Sequence, residues 1–275
     1  MSPTVIVFQR GWGVLLLAMT LLSGALLTGC ASASGSGANG RTDLVTDSDE
    51  SSDRKRARIR VELAMGYLEQ GKTTIALDEV KLALAADPDF ADAYSLRGLI
   101  YMRLNEFSLA QDSFMKALSI RPGNANILHN LGWLRCQQAR YPEALADFSR
   151  ALADPAYGER AKTYMAQGLC QIRAGQRREA EQSLLKSYEI DAGNPVTGYN
   201  LANLLYQNAD FAKAQFYIRR INNSDWANAE SLWLGIKVEN RMADRVALLQ
   251  LASQLEKRFP QSREGDAYRR GAFDE

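Results

Sequence analysis

Residues 91–122 read ADAYSLRGLIYMRLNEFSLAQDSFMKALSIRP, and this stretch decides the fold. Gly98 stands at its eighth place and Ala110 at its twentieth. Outward from it, small residues recur at Ala64, Gly98, Gly132, Gly168, Ala202 and Gly235, in steps of 34, 34, 36, 34 and 33. A second series, Ala76, Ala110, Ala144, Ala180, Ala214 and Ala247, follows the first at a constant offset of twelve. A fixed period of this length marks tandem structural units. Within each unit the apolar places 4, 7, 8 and 11, then 20, 24 and 27, form two helical stripes, so each unit is predicted to be an antiparallel helix pair. The small residues belong where the two backbones approach most closely. No single pair buries both stripes, so the pairs must stack into one continuous core.

The period and the placement of small residues resemble the tetratricopeptide repeat, whose pattern is W-x₂-L-G-x₂-Y…A-x₃-F…P. The second unit carries it as Tyr94, Gly98, Tyr101, Ala110, Phe114, Ala117 and Pro122, departing at Arg97, where Leu is usual. Leu63, Ala64, Tyr67, Ala76, Val80, Ala83 and Pro88 supply the first; Leu128, Leu131, Gly132, Ala144, Phe148 and Ala151 the third. Tyr164, Gly168, Ala180 and Leu184 hold the fourth in register, and Leu201, Ala202, Ala214 and Ile218 the fifth. A degenerate sixth, with Leu234, Gly235, Ala247 and Leu251, ends at Pro260 as a cap. The resemblance implies an all-α, right-handed superhelix of about six repeats with a concave face. Gly71-Lys72, Leu104-Asn105-Glu106, Ala174-Gly175-Gln176 and Asn208-Ala209-Asp210 are expected to be the turns inside the pairs. Phe107, Tyr141 and Phe211, just after such turns, are read as packing residues.

Ahead of the repeats, an apolar stretch from about Trp12 closes on Leu27-Thr28-Gly29-Cys30, with Arg10 as the one preceding charge. It reads as a secretion signal over residues 1–29, and the tetrapeptide looks like a bacterial lipobox. The run is short for a membrane span. In lipoproteins of this kind the new N-terminal Cys30 carries a diacylglyceryl thioether and an acylated amine, and each buried CH₂ adds roughly 0.8 kcal/mol of membrane affinity. Ala31 stands where inner-membrane retention commonly shows Asp, so the resemblance implies the periplasmic face of the outer membrane. Residues 30–56 form the lipidated Cys and a tether of Ser, Gly, Ala, Asn and Asp with almost nothing to bury. Gly35-Ser36-Gly37-Ala38-Asn39-Gly40 matches a dinucleotide fingerprint by composition alone, because no strand precedes it and no helix opens from it. The repeats are assigned to 57–261 and a C-terminal tail to 262–275.

Removing residues 1–29 takes away one basic residue and no acid, leaving 32 Lys plus Arg against 32 Asp plus Glu. A formally neutral chain lacks the clustered positive excess that phosphate neutralisation requires, which argues against nucleic acid. The one basic run, Arg54-Lys55-Arg56-Ala57-Arg58-Ile59-Arg60, is read as a solvated first turn, with headgroup contact as the alternative. Cys136 and Cys170 are too few for a disulfide framework and are read as packed thiols, a bridge between them being left open.

The chain's one histidine, His129, has no Cys or carboxylate at metal-ligand spacing, and no GxSxG, HExxH or Walker A pattern occurs. No catalytic residue, metal or small-molecule substrate is expected, and no cofactor beyond the lipid on Cys30. In this repeat family, places 2, 5, 9 and 12 of the first helix line the groove. Here they are largely apolar: Val61, Met65 and Leu68; Leu99 and Met102; Trp133; Met165, Leu169 and Ile172; Tyr199 and Tyr206. Such a surface suits capture of a helix or extended peptide. Lipobox, tether and tandem repeats together resemble the pilotin lipoproteins of type IV pilus biogenesis, the PilF/PilW family. That resemblance implies a non-enzymatic protein that binds secretin subunits and promotes their outer-membrane localisation and multimerisation. Met65, Leu68, Leu99 and Met102, nearest the tether, are the first choice for the contact. The alternatives are an envelope scaffold for cell-wall enzymes or outer-membrane protein assembly, and an enzyme acting through a carboxylate pair or His129.

Overall fold

The computed structural model describes residues 49–273, and every regular element among them is a helix. The signal segment 1–29, Cys30 and the tether up to residue 48 lie outside the described residues. Twelve helices form six pairs: α1 (Ser52–Glu69) with α2 (Thr73–Ala86), α3 (Ala91–Arg103) with α4 (Phe107–Ile120), and α5 (Ala125–Gln137) with α6 (Tyr141–Leu152). Then come α7 (Arg160–Arg173) with α8 (Arg177–Ile190), α9 (Pro195–Gln207) with α10 (Phe211–Asn222), and α11 (Ala229–Arg241) with α12 (Arg245–Arg258). A short α13 (Arg263–Arg269) follows.

The pairs are made by size matching. A Cβ on Gly98 would lie 2.5 Å from Phe114, one on Gly132 2.9 Å from Phe148, and one on Gly168 2.8 Å from Leu184. Glycine is therefore what lets the large side chain of the second helix pass over the first. The two units with alanine at that place carry β-branched partners instead, Val80 and Ile218, each fully buried in one core cluster with Ala64 and Ala202 respectively.

Each pair turns on three residues whose middle member has a left-handed backbone: Gly71, Asn105, Ala139, Gly175, Ala209 and Ala243. This series advances by 34, 34, 36, 34 and 34. The sixth unit thus begins one residue later than the sequence series places it, with Ile236, fully buried, at the eighth place. Gly235 misled the sequence reading because it is small for another reason: a Cβ there would meet Asn222 of α10 at 2.5 Å and Leu251 at 3.0 Å.

The step of 36 is absorbed in the linker between α6 and α7. Tyr157 plugs it, 6% exposed, with its hydroxyl 3.0 Å from Thr163 Oγ1. Further along α5 and α7, Cys136 and Cys170 form a disulfide, Cα to Cα 5.8 Å. Reading these as packed thiols is corrected: the sequence lacked the distance, which stacking of adjacent units supplies. The helical array also starts earlier than residue 57, because Ser51 caps α1 by accepting from Arg54 N and Asp53 complements the helix dipole. Residues 262–273 are likewise built into the fold. Ser262 caps α13, and Ala267, Tyr268 and Phe273 pack on Trp233, Leu251 and Leu255.

Candidate functional site

The first helices of successive pairs touch one another directly, α1 on α3, α3 on α5, α5 on α7, and α9 on α11. Among the described residues the second helices make no comparable contact, so the array curves toward its first helices. The inner face is therefore built from α1, α3, α5, α7, α9 and α11.

On that face Met65 is 49% exposed. Leu68, Leu99, Met102, Trp133, Met165, Leu169, Ile172, Tyr199 and Tyr206 are half-buried. Most of these rest one side on a core cluster and leave the other open: Leu68 and Leu99 on the first, Leu99 and Met102 on the second, Trp133 against the disulfide cluster, and Met165, Ile172, Tyr199 and Tyr206 on the fourth-to-fifth unit core. Val61 is corrected. At 6% exposure it belongs to the core of the first pair, packed in one cluster with Phe90, Ala93 and Leu96 of the next unit. His129 occupies the same place and is likewise buried, its Nδ1 2.8 Å from Thr163 Oγ1 and its ring 5.9 Å from that of Phe148. Burial, followed by the nearby Lys162 ammonium, pushes its pKa down to about 4, so it is neutral at pH 7. It is a core residue with no route to chemistry on the surface.

The corrected register of the sixth unit brings in residues that the sequence reading left out. Trp233 and Lys237 now stand at the fifth and ninth places. Lys237 Nζ lies 5.6 Å from the centroids of both Tyr206 and Trp233, and burial lowers its pKa. A cavity of about 320 Å³ opens there, lined by Trp233, Lys237, Arg263, Glu264, Asp266 and Arg270. The inner face is thus graded, with aliphatic and thioether groups at its α1–α3 end and aromatic and charged groups at its α11–α13 end.

The basic run on α1 is matched by carboxylates. Arg54 pairs with Asp87, Arg56 with Asp53, Arg58 with Glu50 and Glu62 at 3.3 and 3.1 Å, and Arg60 with Glu79 at 2.7 Å. The neighbouring Arg54 guanidinium holds the Asp87 carboxyl below the usual range. With its four arginines met locally, this run is a solvated helix face rather than an anion site. Two other carboxylates are buried between helices, one within the third pair and one between the fifth and sixth. Asp147, nearly fully buried, meets Arg135 at 2.6 Å, and burial raises its pKa. Glu239, fully buried, accepts from Arg219 and Gln215 at 2.7 Å each. Both tie neighbouring helices together. Among the described residues no three His, Cys, Asp or Glu side chains are grouped to hold a metal, and no helix is long and apolar enough to cross a membrane.

Two family models of the tetratricopeptide repeat match this chain, over residues 61–125 and 113–146. The type IV pilus assembly protein PilF of Pseudomonas aeruginosa is 30% identical over 231 residues, spanning 82% of this chain and 92% of that protein. The solved structure of Pseudomonas aeruginosa PilF superposes with a TM-score of 0.72 at 28% identity, covering 80% of this chain and 100% of that one. That of PilW, described as a widely conserved type IV pilus biogenesis factor, gives 0.69 at 31% identity over 76% and 96% of the two chains. A core of size-matched helix pairs, an inner face of half-open apolar side chains and these likenesses agree: the chain belongs to the family of PilF and PilW, the tetratricopeptide-repeat proteins of type IV pilus biogenesis.

Proposed function

We propose that this protein is a lipid-anchored, non-enzymatic pilotin that binds secretin subunits through its inner face and promotes their multimerisation at the outer membrane. The observation that carries this reading is the open apolar edge at the α1–α3 end of the array. Met65 is 49% exposed there, and Leu68, Leu99 and Met102 are half-open beside it. Monomer surfaces seldom leave such groups contiguous unless another protein covers them. The disulfide supports an oxidising compartment, which suits export to the periplasm. The lipobox at Cys30 supports anchoring, and the acyl chains would fix location while the inner face supplies recognition.

The test is capture from detergent extracts. Wild-type protein is expected to retain the secretin, and Leu68→Glu/Met102→Glu to lose it with unchanged helicity. Retention by the double variant would move the site elsewhere. Murein enzymes or outer-membrane assembly components in the wild-type eluate, without secretin, would replace this reading by an envelope scaffold. Cys30→Ala is expected to yield a folded protein released from membranes, and continued anchoring would contradict lipidation there.

A further inference from the structure

The second helices of the pairs break their pattern at one place. Two residues after Ala76, Ala110, Ala144 and Ala180 stand Asp78, Asp112, Ala146 and Gln182, and three after them Glu79, Ser113, Asp147 and Ser183. After Ala214 on α10 the same places hold Phe216 and Tyr217, and Phe216 is 62% exposed. Eight residues after the alanine, Leu84, Leu118 and Leu152 of the first three pairs give way to Tyr188 on α8. The earlier pairs stack without aromatic groups at these places, so packing alone does not require them.

These aromatic residues meet. Tyr188 and Tyr217 pack edge to face with ring centroids 4.9 Å apart, and Phe216 stands against Tyr217 at 5.1 Å. Trp226, 65% exposed, reaches the same spot from the α10–α11 linker. Ser224 holds that linker, its hydroxyl donating to the Ile221 carbonyl at 2.8 Å and accepting from Trp226 N at 3.2 Å. Tyr188, Tyr217 and Trp226, with Pro195, Arg220 and Ile221, wall a cavity of about 220 Å³ beside the α8–α9 linker. Small-molecule sites commonly hold roughly 300–1,000 Å³, so this one suits a side chain or two of a peptide. Arg220 is the one charged side chain among the residues lining it. Its guanidinium lies 5.8 Å from the centroid of Tyr188 and meets no carboxylate among the described residues. Glu189, Asp191 and Asp225, near in sequence, do not line the cavity, and Asp191 is turned into its own loop, accepting from Gly193 N at 3.1 Å. The Tyr188 hydroxyl is enclosed and has no acceptor among the described residues, so a bound carbonyl or carboxylate oxygen that reached it would satisfy a donor the fold leaves unmet.

We propose that this cavity is a second docking site, which takes an acidic segment of a partner protein in which an Asp or Glu stands beside an aromatic or aliphatic residue. Charge complementarity selects the acid, because Arg220 is the cavity's single charge and no carboxylate of this chain meets it. The carboxylate pairs with Arg220, and the adjoining apolar side chain enters between Tyr217, Ile221 and Trp226. Trp, Tyr and Arg are the residue types that dominate binding energy where a partner covers them. None of the inner-face residues lines the cavity, so the site stands whether or not the inner face binds a secretin.

The experiment applies the full chain in detergent to an array of Gly/Ser-based peptides in which two adjacent central residues run through all pairs. Asp or Glu beside Phe, Trp, Leu or Ile is expected to bind roughly tenfold or more above the same pairs with Asn or Gln. Arg220→Gln should abolish that preference, and Trp226→Ala should weaken binding of the acidic pairs by roughly tenfold or more, both with unchanged circular dichroism. Leu68→Glu/Met102→Glu is expected to keep the preference, which separates failure here from failure of the inner-face reading. Absence of binding, preference for neutral or basic pairs, or an acidic preference that survives Arg220→Gln overturns the proposal. Two further outcomes overturn it in favour of other occupants. A dimer in sedimentation that Trp226→Ala dissociates assigns the patch to a second copy. Binding of the Cys30→Ala protein to phosphatidylethanolamine–phosphatidylglycerol vesicles, lost in Arg220→Gln and Trp226→Ala, assigns it to the bilayer.

Discussion

Replacing Gly98 by alanine places a methyl group 2.5 Å from one edge carbon of Phe114 and 2.7 Å from two others. That is more than 1 Å inside the usual carbon contact of about 3.5–4.0 Å. Phe114 is fully buried, so the ring has no vacancy to swing into, and either it leaves its rotamer or α3 and α4 move apart. Overpacking of this kind costs up to roughly 3 kcal/mol, against about 1 kcal/mol gained by removing glycine from a helix interior. The net loss is about 2 kcal/mol, or a fall in Tm of roughly 4 to 8 °C for a chain of this size. Gly66→Ala supplies the baseline: its new Cβ meets nothing within 4 Å, so it should gain about 1 kcal/mol. Phe114→Val alone leaves a cavity and costs roughly 2–4 kcal/mol. Gly98→Ala/Phe114→Val rebuilds the alanine and valine combination of Ala64 and Val80, so the pair should be less damaging than the sum by about 1–3 kcal/mol. Denaturant and thermal unfolding followed by circular dichroism read all four variants. If Gly98→Ala proves as stabilising as Gly66→Ala, or the double variant is simply additive, size matching does not set the helix spacing and the packing argument is wrong.

Other expectations follow from the same structure. Reduction of the Cys136–Cys170 bridge, or its replacement by serines, opens a loop of sequence separation 34 and should cost roughly 3–4 kcal/mol on the chain-entropy account; equal Tm with and without reductant would contradict it. The His129 pKa is depressed from 6.5 to about 4 in the fold, so between those values the unfolded chain binds more protons than the native one. Its stabilising contribution is therefore complete above pH 6.5 and is lost as pH falls toward 4, by about 3 kcal/mol in all. His129→Gln should flatten that slope of stability against pH, and an unchanged slope would place the titration elsewhere. Ala139, Ala209 and Ala243 hold φ near +60°, a conformation costing a non-glycine residue roughly 1–2 kcal/mol. Glycine at each should raise stability by about 0.5–1 kcal/mol after its own entropy cost, and a fall in Tm would refute the strain.

The helix pairs were legible because their cause is written in composition: Gly98, Gly132 and Gly168 must be small wherever a Phe or Leu crosses them, and that necessity repeats at a readable period. The inner face was legible for the same reason, since register alone assigns Leu68, Leu99 and Met102 to it. What escaped depends on distances between units. Val61 and His129 sit at a nominal groove place, yet the next unit closes over them. Gly235 is small because of Asn222 in the previous pair, which shifted the last register and hid Trp233 and Lys237 from view. The meeting of Cys136 and Cys170 likewise rests on how α5 and α7 stack, which a linear string does not contain.

Because each pair grips only its neighbours, an array of this kind peels from its ends one unit at a time. The covalent tie between α5 and α7 sets a stop in that process. Pulling at the N-terminus would strip the first two pairs reversibly while the third and fourth resist as one block. A tug on the N-terminal end would therefore loosen the units closest to it and leave a rigid hub from which they can zip back.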